Sequence, residues 1–152
     1  MEKVILGIDP GTNIMGYGII KVQDNKAEMV TMGVIDLRKF GDGYLKLGRA
    51  QGTAIAAAIQ RGVPVHEYAP MKIKMSITGN GAASKEQVAG MLQRMLKFDK
   101  DALSKFMDAT DALGAAYCHF MQMNRPESQA HYKGWKDFIT KNKEKVSKTC
   151  QK

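Results

Sequence analysis

The hydrophobic pattern is clearest at the start of the chain, where an apolar run ends on a carboxylate. Val4, Ile5, Leu6 and Ile8 are apolar at successive positions apart from Gly7, which predicts a strand buried on both faces and stopping at Asp9. Pro10, Gly11 and Thr12 then break the strand and turn the chain. Residues 16–23 predict a second strand, Asp24 to Lys26 a turn, and Ala27 to Leu37 a third strand returning antiparallel. Gly41, Asp42 and Gly43 interrupt the pattern. Leu45, Ile55 and Ile59 among small residues then predict a helix closed by Gly62. Val63, Val65 and Glu67 alternate with His66 and Tyr68. This predicts a short strand from Val63 to Tyr68, and its entry from a helix predicts a parallel βαβ crossover.

Two further helices follow. One covers Lys85 to Lys97, with Ser84 and Gln87 at capping-box spacing and Val88, Met91, Leu92, Met95 and Leu96 on its buried face. The last begins near Asp108, in "DATDALGAAYCHF". In the first helix Gly48, Gly52 and Ala56 recur every fourth position and form one smooth stripe. Interior glycines cost a helix about 1 kcal/mol each against alanine, so close approach of another helix is expected there, within the monomer or across a subunit interface.

Length and charge narrow the function. A chain of 152 residues forms one domain with a sizeable core. Lys and Arg number 23 against 15 Asp and Glu, and a net charge of +8 suits a polyanion, nucleic acid first and an anionic membrane second. From His131 to Lys152 seven lysines face only Asp137 and Glu144. Residues 126–152 therefore read as a basic tail on a domain of residues 1–125, a solvated appendage able to add phosphate contacts. Cys118 and Cys150 form no CxxC pair, so neither zinc nor a disulfide framework is indicated. The N-terminus lacks a signal-peptide pattern and no apolar run is long enough to span a bilayer, so a soluble cytoplasmic protein is expected. The 11 methionines read as core filling.

The carboxylates carry the candidate chemistry. Asp9, held at a rigid strand end, either caps the Pro-Gly turn or ligates a cation, because an ionised carboxylate beside a core is normally paired. Asp108 and Asp111 lie three apart at a helix start and project from one face. They read as an N-cap with an exposed partner or as a second part of a cation site, with Ala109, Ala112 and Ala115 leaving room. Carboxylate oxygens suit Mg²⁺ or Mn²⁺, and paired ions of this kind stabilise attacking and leaving oxygens in phosphodiester cleavage.

"ILGIDPGTNIMGYGII", "LKLGRAQGTAIAAAIQRGVPVHEYAP", "KIKMSITGNGAASKEQVAGMLQ" and "DATDALGAAYCH", in this order, cover most of residues 3–124. Together they resemble the RuvC family of Holliday-junction resolvases, in the ribonuclease H-like superfamily. The resemblance implies an α/β fold with a mixed sheet and flanking helices. It further implies a homodimer that binds four-way junction DNA, works with branch-migration proteins and nicks opposed strands through water activated by Mg²⁺, or Mn²⁺ in its place. Asp9, Asp108 and Asp111 match the family's metal-binding catalytic residues, Lys74 and Lys85 match basic residues facing the DNA, and the Gly48, Gly52 helix matches its dimerisation helix. Read without the resemblance, each lysine is a solvated surface charge. The DPGT turn also occurs in sugar-kinase and chaperone ATPases, but on much longer chains, and no second phosphate loop is visible here.

One part of the family pattern is missing. RuvC proteins carry, between the third strand and the small-residue helix, another helix and a core strand ending in a catalytic Glu, followed by an aromatic residue that works on the junction bases. Here "LRKFGDGYLKLGRAQG" passes directly across, so the fold is expected with one core strand and one helix fewer. The join falls on "YLKLGR", which fits the start of either helix, as an internal deletion between two similar stretches would leave it. Two outcomes are expected. Either the Val63 to Tyr68 strand takes the vacated place beside the first strand and Glu67 substitutes as metal ligand, or the site keeps three carboxylates. In the second case the chain becomes a catalytically impaired junction-binding protein.

Overall fold

A computed structural model describes residues 2–38, 46–98, 107–123 and 139–140. Three strands open the chain: β1 (Lys3–Asp9), β2 (Ile14–Gln23) and β3 (Lys26–Asp36). They form one antiparallel sheet in the order β1-β2-β3, with Asp9 paired to Gly16 and Ile14 paired to Asp36. Asp24 and Asn25 adopt positive φ of 51° and 62° in the tight β2–β3 turn, a conformation these short polar side chains tolerate. Four helices follow: α1 (Lys46–Gln60), α2 (Pro70–Thr78), α3 (Lys85–Leu96) and α4 (Met107–Met123).

The core lies between one face of the sheet and α4. Ile20 and Leu113 are fully buried there, and α2 and α3 pack on the other side of α4, where Leu92 and Cys118 are fully buried. The fit of α4 on the sheet is backbone against backbone. A Cβ at Gly7 would stand 2.0 Å from the Ala112 carbonyl oxygen, and one at Gly16 would stand 2.1 Å from that of Asp108. Ala109 and Ala112, both fully buried, are thus small because the sheet lies against them. This corrects the reading that small residues on this helix leave space for an ion.

The helix α3 begins as the sequence predicts. The Ser84 hydroxyl accepts the Gln87 N–H, and the Gln87 side chain returns the bond by accepting the Ser84 N–H at 2.9 Å. The helix α2 is an addition. Met71, Ile73, Met75 and Ile77 alternate with polar residues, a strand-like period, but Pro70 opens a helix there and Gly79, at φ 75°, closes it.

Three expectations need correction. β1 is covered on one face only: Ile5 packs against the core, whereas Val4 and Leu6 are 64% and 56% exposed. Residues 63–69 join no sheet, so the parallel crossover is absent among the described residues. Their polar groups are held elsewhere. The Tyr68 hydroxyl lies 2.7 Å from His119 Nδ1 on α4, and the His66 ring stacks on His119 with centroids 4.4 Å apart. Glu67 Oε1 accepts a 2.9 Å hydrogen bond from Gln51 Nε2 on α1, which ties the segment to that helix and away from β1. Finally, of the two places expected for close packing on α1, the monomer supplies none at its interior glycines: among the described residues nothing lies within 4 Å of a Cβ placed at Gly48 or Gly52. The basic tail, residues 126–152, falls outside the described residues except for 139–140.

Candidate active site

The end of β1 and the start of α4 meet because Gly16 has no side chain. Asp9 is the ladder partner of Gly16, and Gly16 lies directly under the Asp108 carbonyl, so the α4 N-terminus is pressed onto the sheet beside Asp9. One helical turn later Asp111 follows Asp108 on the same face. The capped start of α3 supplies Lys85, whose Nζ lies 2.5 Å from Asp111 Oδ2. Residues far apart in sequence thus form one charged group at one end of the sheet.

The electrostatics show how closely these groups interact. Half-burial raises the Asp9 pKa above its ordinary 3.8, the Asp111 and Asp108 charges raise it further, and Lys85 lowers it. Lys85 is held protonated chiefly by its hydrogen bond to Asp111, with added attraction from Asp111, Asp108 and Asp9 outweighing its desolvation. Three carboxylates against one ammonium leave an excess of negative charge that a divalent cation would relieve. All the donors are hard oxygens, the type suited to Mg²⁺ or Mn²⁺. Among the described residues, however, no three His, Cys, Asp or Glu side chains stand close enough together, as placed, to hold a metal ion, and Lys85 occupies one side of Asp111. By charge and donor type Asp9, Asp108 and Asp111 fit a divalent cation; for Asp111 to take part, its carboxylate must turn from the lysine.

The other candidates lie apart. Glu67, bonded to Gln51, is not among the charges acting on Asp9. Lys74 sits half-buried in the middle of α2, and its ammonium makes no ion pair among the described residues. Sequence reasoning missed the positioning role of Gly16. The signal was present, since Gly16 and Gly18 interrupt a strand whose other residues are mostly apolar, and glycine inside a strand often marks close backbone approach.

A ribonuclease H-like sheet with acidic residues gathered at the end of its first strand defines a class of phosphodiester-cleaving domains. Comparison with known proteins narrows it. The family model described as "Crossover junction endodeoxyribonuclease RuvC" matches residues 5–42 and again 37–119. A protein of that name from Bacteroides fragilis is 54% identical over 181 aligned positions, covering 95% of this chain and 96% of the relative. One from Porphyromonas gingivalis is 44% identical, covering 95% and 97%. Among solved structures, Thermus thermophilus RuvC in complex with Holliday junction substrate superposes with a TM-score of 0.67 at 27% identity, covering 79% of this chain and 94% of that one. The chain belongs to the RuvC family.

The same comparisons locate what is missing. An alignment of 181 positions to a chain of 152 residues leaves at least 29 positions of the Bacteroides fragilis protein without a counterpart. The family model matches in two pieces that meet at residues 37–42, between β3 and α1. The gap therefore falls beside the join read from the sequence.

Proposed function

We propose that this chain is a structure-specific DNA endonuclease acting on four-way junctions in recombination and repair. The observation that carries this reading is the gathering of Asp9, Asp108 and Asp111 with Lys85 where β1 meets α4. RuvC proteins are metal-dependent nucleases, and we assign Mg²⁺, with Mn²⁺ as a substitute, to these three carboxylates. When bound, the ion supplies an activated water and shields the phosphate undergoing cleavage. The chain's own residues present oxygens from a rigid strand end and a rigid helix start. Lys85, once released from Asp111, would meet a phosphate of the DNA, and Lys74 would extend the basic surface along α2. The net charge of +8 supports backbone binding. The proposed assembly is a homodimer through the open small-residue face of α1, working with branch-migration proteins in the cytoplasm; no helix among the described residues is long and apolar enough to cross a membrane.

A second reading has its own support. Glu67 is engaged by Gln51 and the family match is broken between β3 and α1, which favours a junction-binding protein with strongly reduced cleavage. A labelled four-way junction titrated with Mg²⁺, with Asp9→Asn as control, decides between them. Mg²⁺-dependent nicking abolished in Asp9→Asn supports the endonuclease; binding without nicking selects the second reading. Absence of both defeats the two together. Glu67→Gln tests the substitute ligand, and unchanged nicking in that variant removes Glu67 from the site.

A further inference from the structure

The outer edge of β1 is a second place where this chain presents unsatisfied chemistry. Among the described residues β1 pairs with β2 alone, so half of the backbone N–H and C=O groups from Lys3 to Asp9 point outward from the sheet. Edge strands are normally blunted by charge, proline or a bulge. β3 follows that rule: it carries Glu28 and a register shift opposite Ile19 and Ile20. β1 has no charge and no proline from Val4 to Ile8, no register shift, and two apolar side chains, Val4 and Leu6, that are more than half exposed.

The sequence of β1 is also complementary to itself. In an antiparallel pair centred on Leu6, Lys3 of one copy stands opposite Asp9 of the other, Val4 opposite Ile8, and Leu6 opposite Leu6. Lys3 and Asp9 lie on the same face of the strand, so both ends of the pair bring opposite charges together, an arrangement that favours cross-strand pairing. On the other face Val4, Leu6 and Ile8 gain apolar partners. We propose that the free edge of β1 binds the β1 edge of a second copy of this chain, joining two three-stranded sheets into one of six strands. The contact is isologous and leaves only the blunted β3 edges exposed, so taken alone it closes at a dimer, and together with an α1 contact it builds a larger assembly. It is distinct from any contact made by α1, and it does not depend on the nuclease reading.

The test uses the full chain, with disulfide trapping as the main readout. In a twofold antiparallel pair the two Leu6 Cα atoms lie about 4.5–5.5 Å apart, within disulfide reach. Leu6→Cys in a Cys150→Ser background is expected to cross-link under mild oxidation at least about tenfold faster than Val30→Cys, an equally exposed position on β3. In sedimentation experiments Leu6→Lys, and Lys3→Glu by opposing like charges, are expected to raise the dissociation constant of this contact about tenfold or more. Lys26→Glu on β3 should leave it unchanged. Because the Leu6 side chain is largely exposed, its replacement leaves the core intact, and the trapping result stands even where Leu6→Lys proves insoluble. Leu6→Cys cross-linking no faster than Val30→Cys overturns the proposal, as it would if the edge were covered by another part of the same chain or if association ran through α1 alone.

Discussion

At Asp9 function and stability pull in opposite directions. Its pKa is raised in the folded chain by burial and by Asp111 and Asp108, with Lys85 opposing. The unfolded chain therefore gives up this proton first, at the ordinary value of 3.8, while the native state retains it to higher pH. Where the native state binds the more protons, stability falls as pH rises, so ionised Asp9 weakens the metal-free fold at neutral pH. Asp9→Asn is expected to raise the thermal midpoint at neutral pH in a chelating buffer, and the gain should shrink as the pH drops toward the acid range. The same variant should lower Mg²⁺-dependent nicking by about three orders of magnitude, since metal activation contributes several kcal/mol. Melting curves of both proteins against pH, set beside junction cleavage, check the two halves together. A destabilising Asp9→Asn would mean that Asp9 serves the turn as a cap.

Among the elements, α4 depends most on a residue outside itself. A Cβ at Gly16 would stand 2.1 Å from the Asp108 carbonyl oxygen and 2.8 Å from its carbon, a clash with backbone that no rotamer relieves. Gly16→Ala is expected to cost ~3 kcal/mol or more in denaturant unfolding. At conditions where the variant is still folded it should also lose cleavage, because Asp108 and Asp111 move with the helix end. Ser84→Ala is a milder counterpart. It removes one half of the α3 capping box and should cost about 1 kcal/mol, leaving the sheet intact. What the sequence made legible at this scale follows the same physics. The β1–β3 meander, α3 and α4 carry strong local signals in their turns, cap and apolar periodicity. The segment from Val63 to Tyr68 alternates like a strand, yet alternation supplies no edge to pair with, and Gln51 and His119 hold its polar groups instead. For α2 the opposite holds: a period-two pattern was overruled by Pro70 and Gly79 at the helix boundaries. The acidic site was legible because its residues sit at element ends. Gly16 was not, because its importance lies in a contact 92 positions away in sequence.

For the whole molecule the decisive feature is the interval between β3 and α1. A net charge of +8 favours phosphate contacts whatever happens inside the sheet, so the proposed junction binding should fall steeply and linearly with salt on logarithmic axes. Cleavage and stability depend on the interior. Among the described residues the sheet ends at β1, and Val4 and Leu6 are exposed on a face that no described helix covers. Restoring the segment of the Bacteroides fragilis relative at the join, among residues 37–49, tests whether these defects share one cause. If they do, the insertion protects Val4 to Ile8 from amide hydrogen exchange, raises the unfolding midpoint and increases Mg²⁺-dependent nicking by about two orders of magnitude or more. Junction affinity should change little, because the lysines proposed to meet phosphate are present in both forms. An insertion that stabilised the sheet but left nicking unchanged would separate the two effects. The three carboxylates of this chain would then suffice for whatever cleavage it performs.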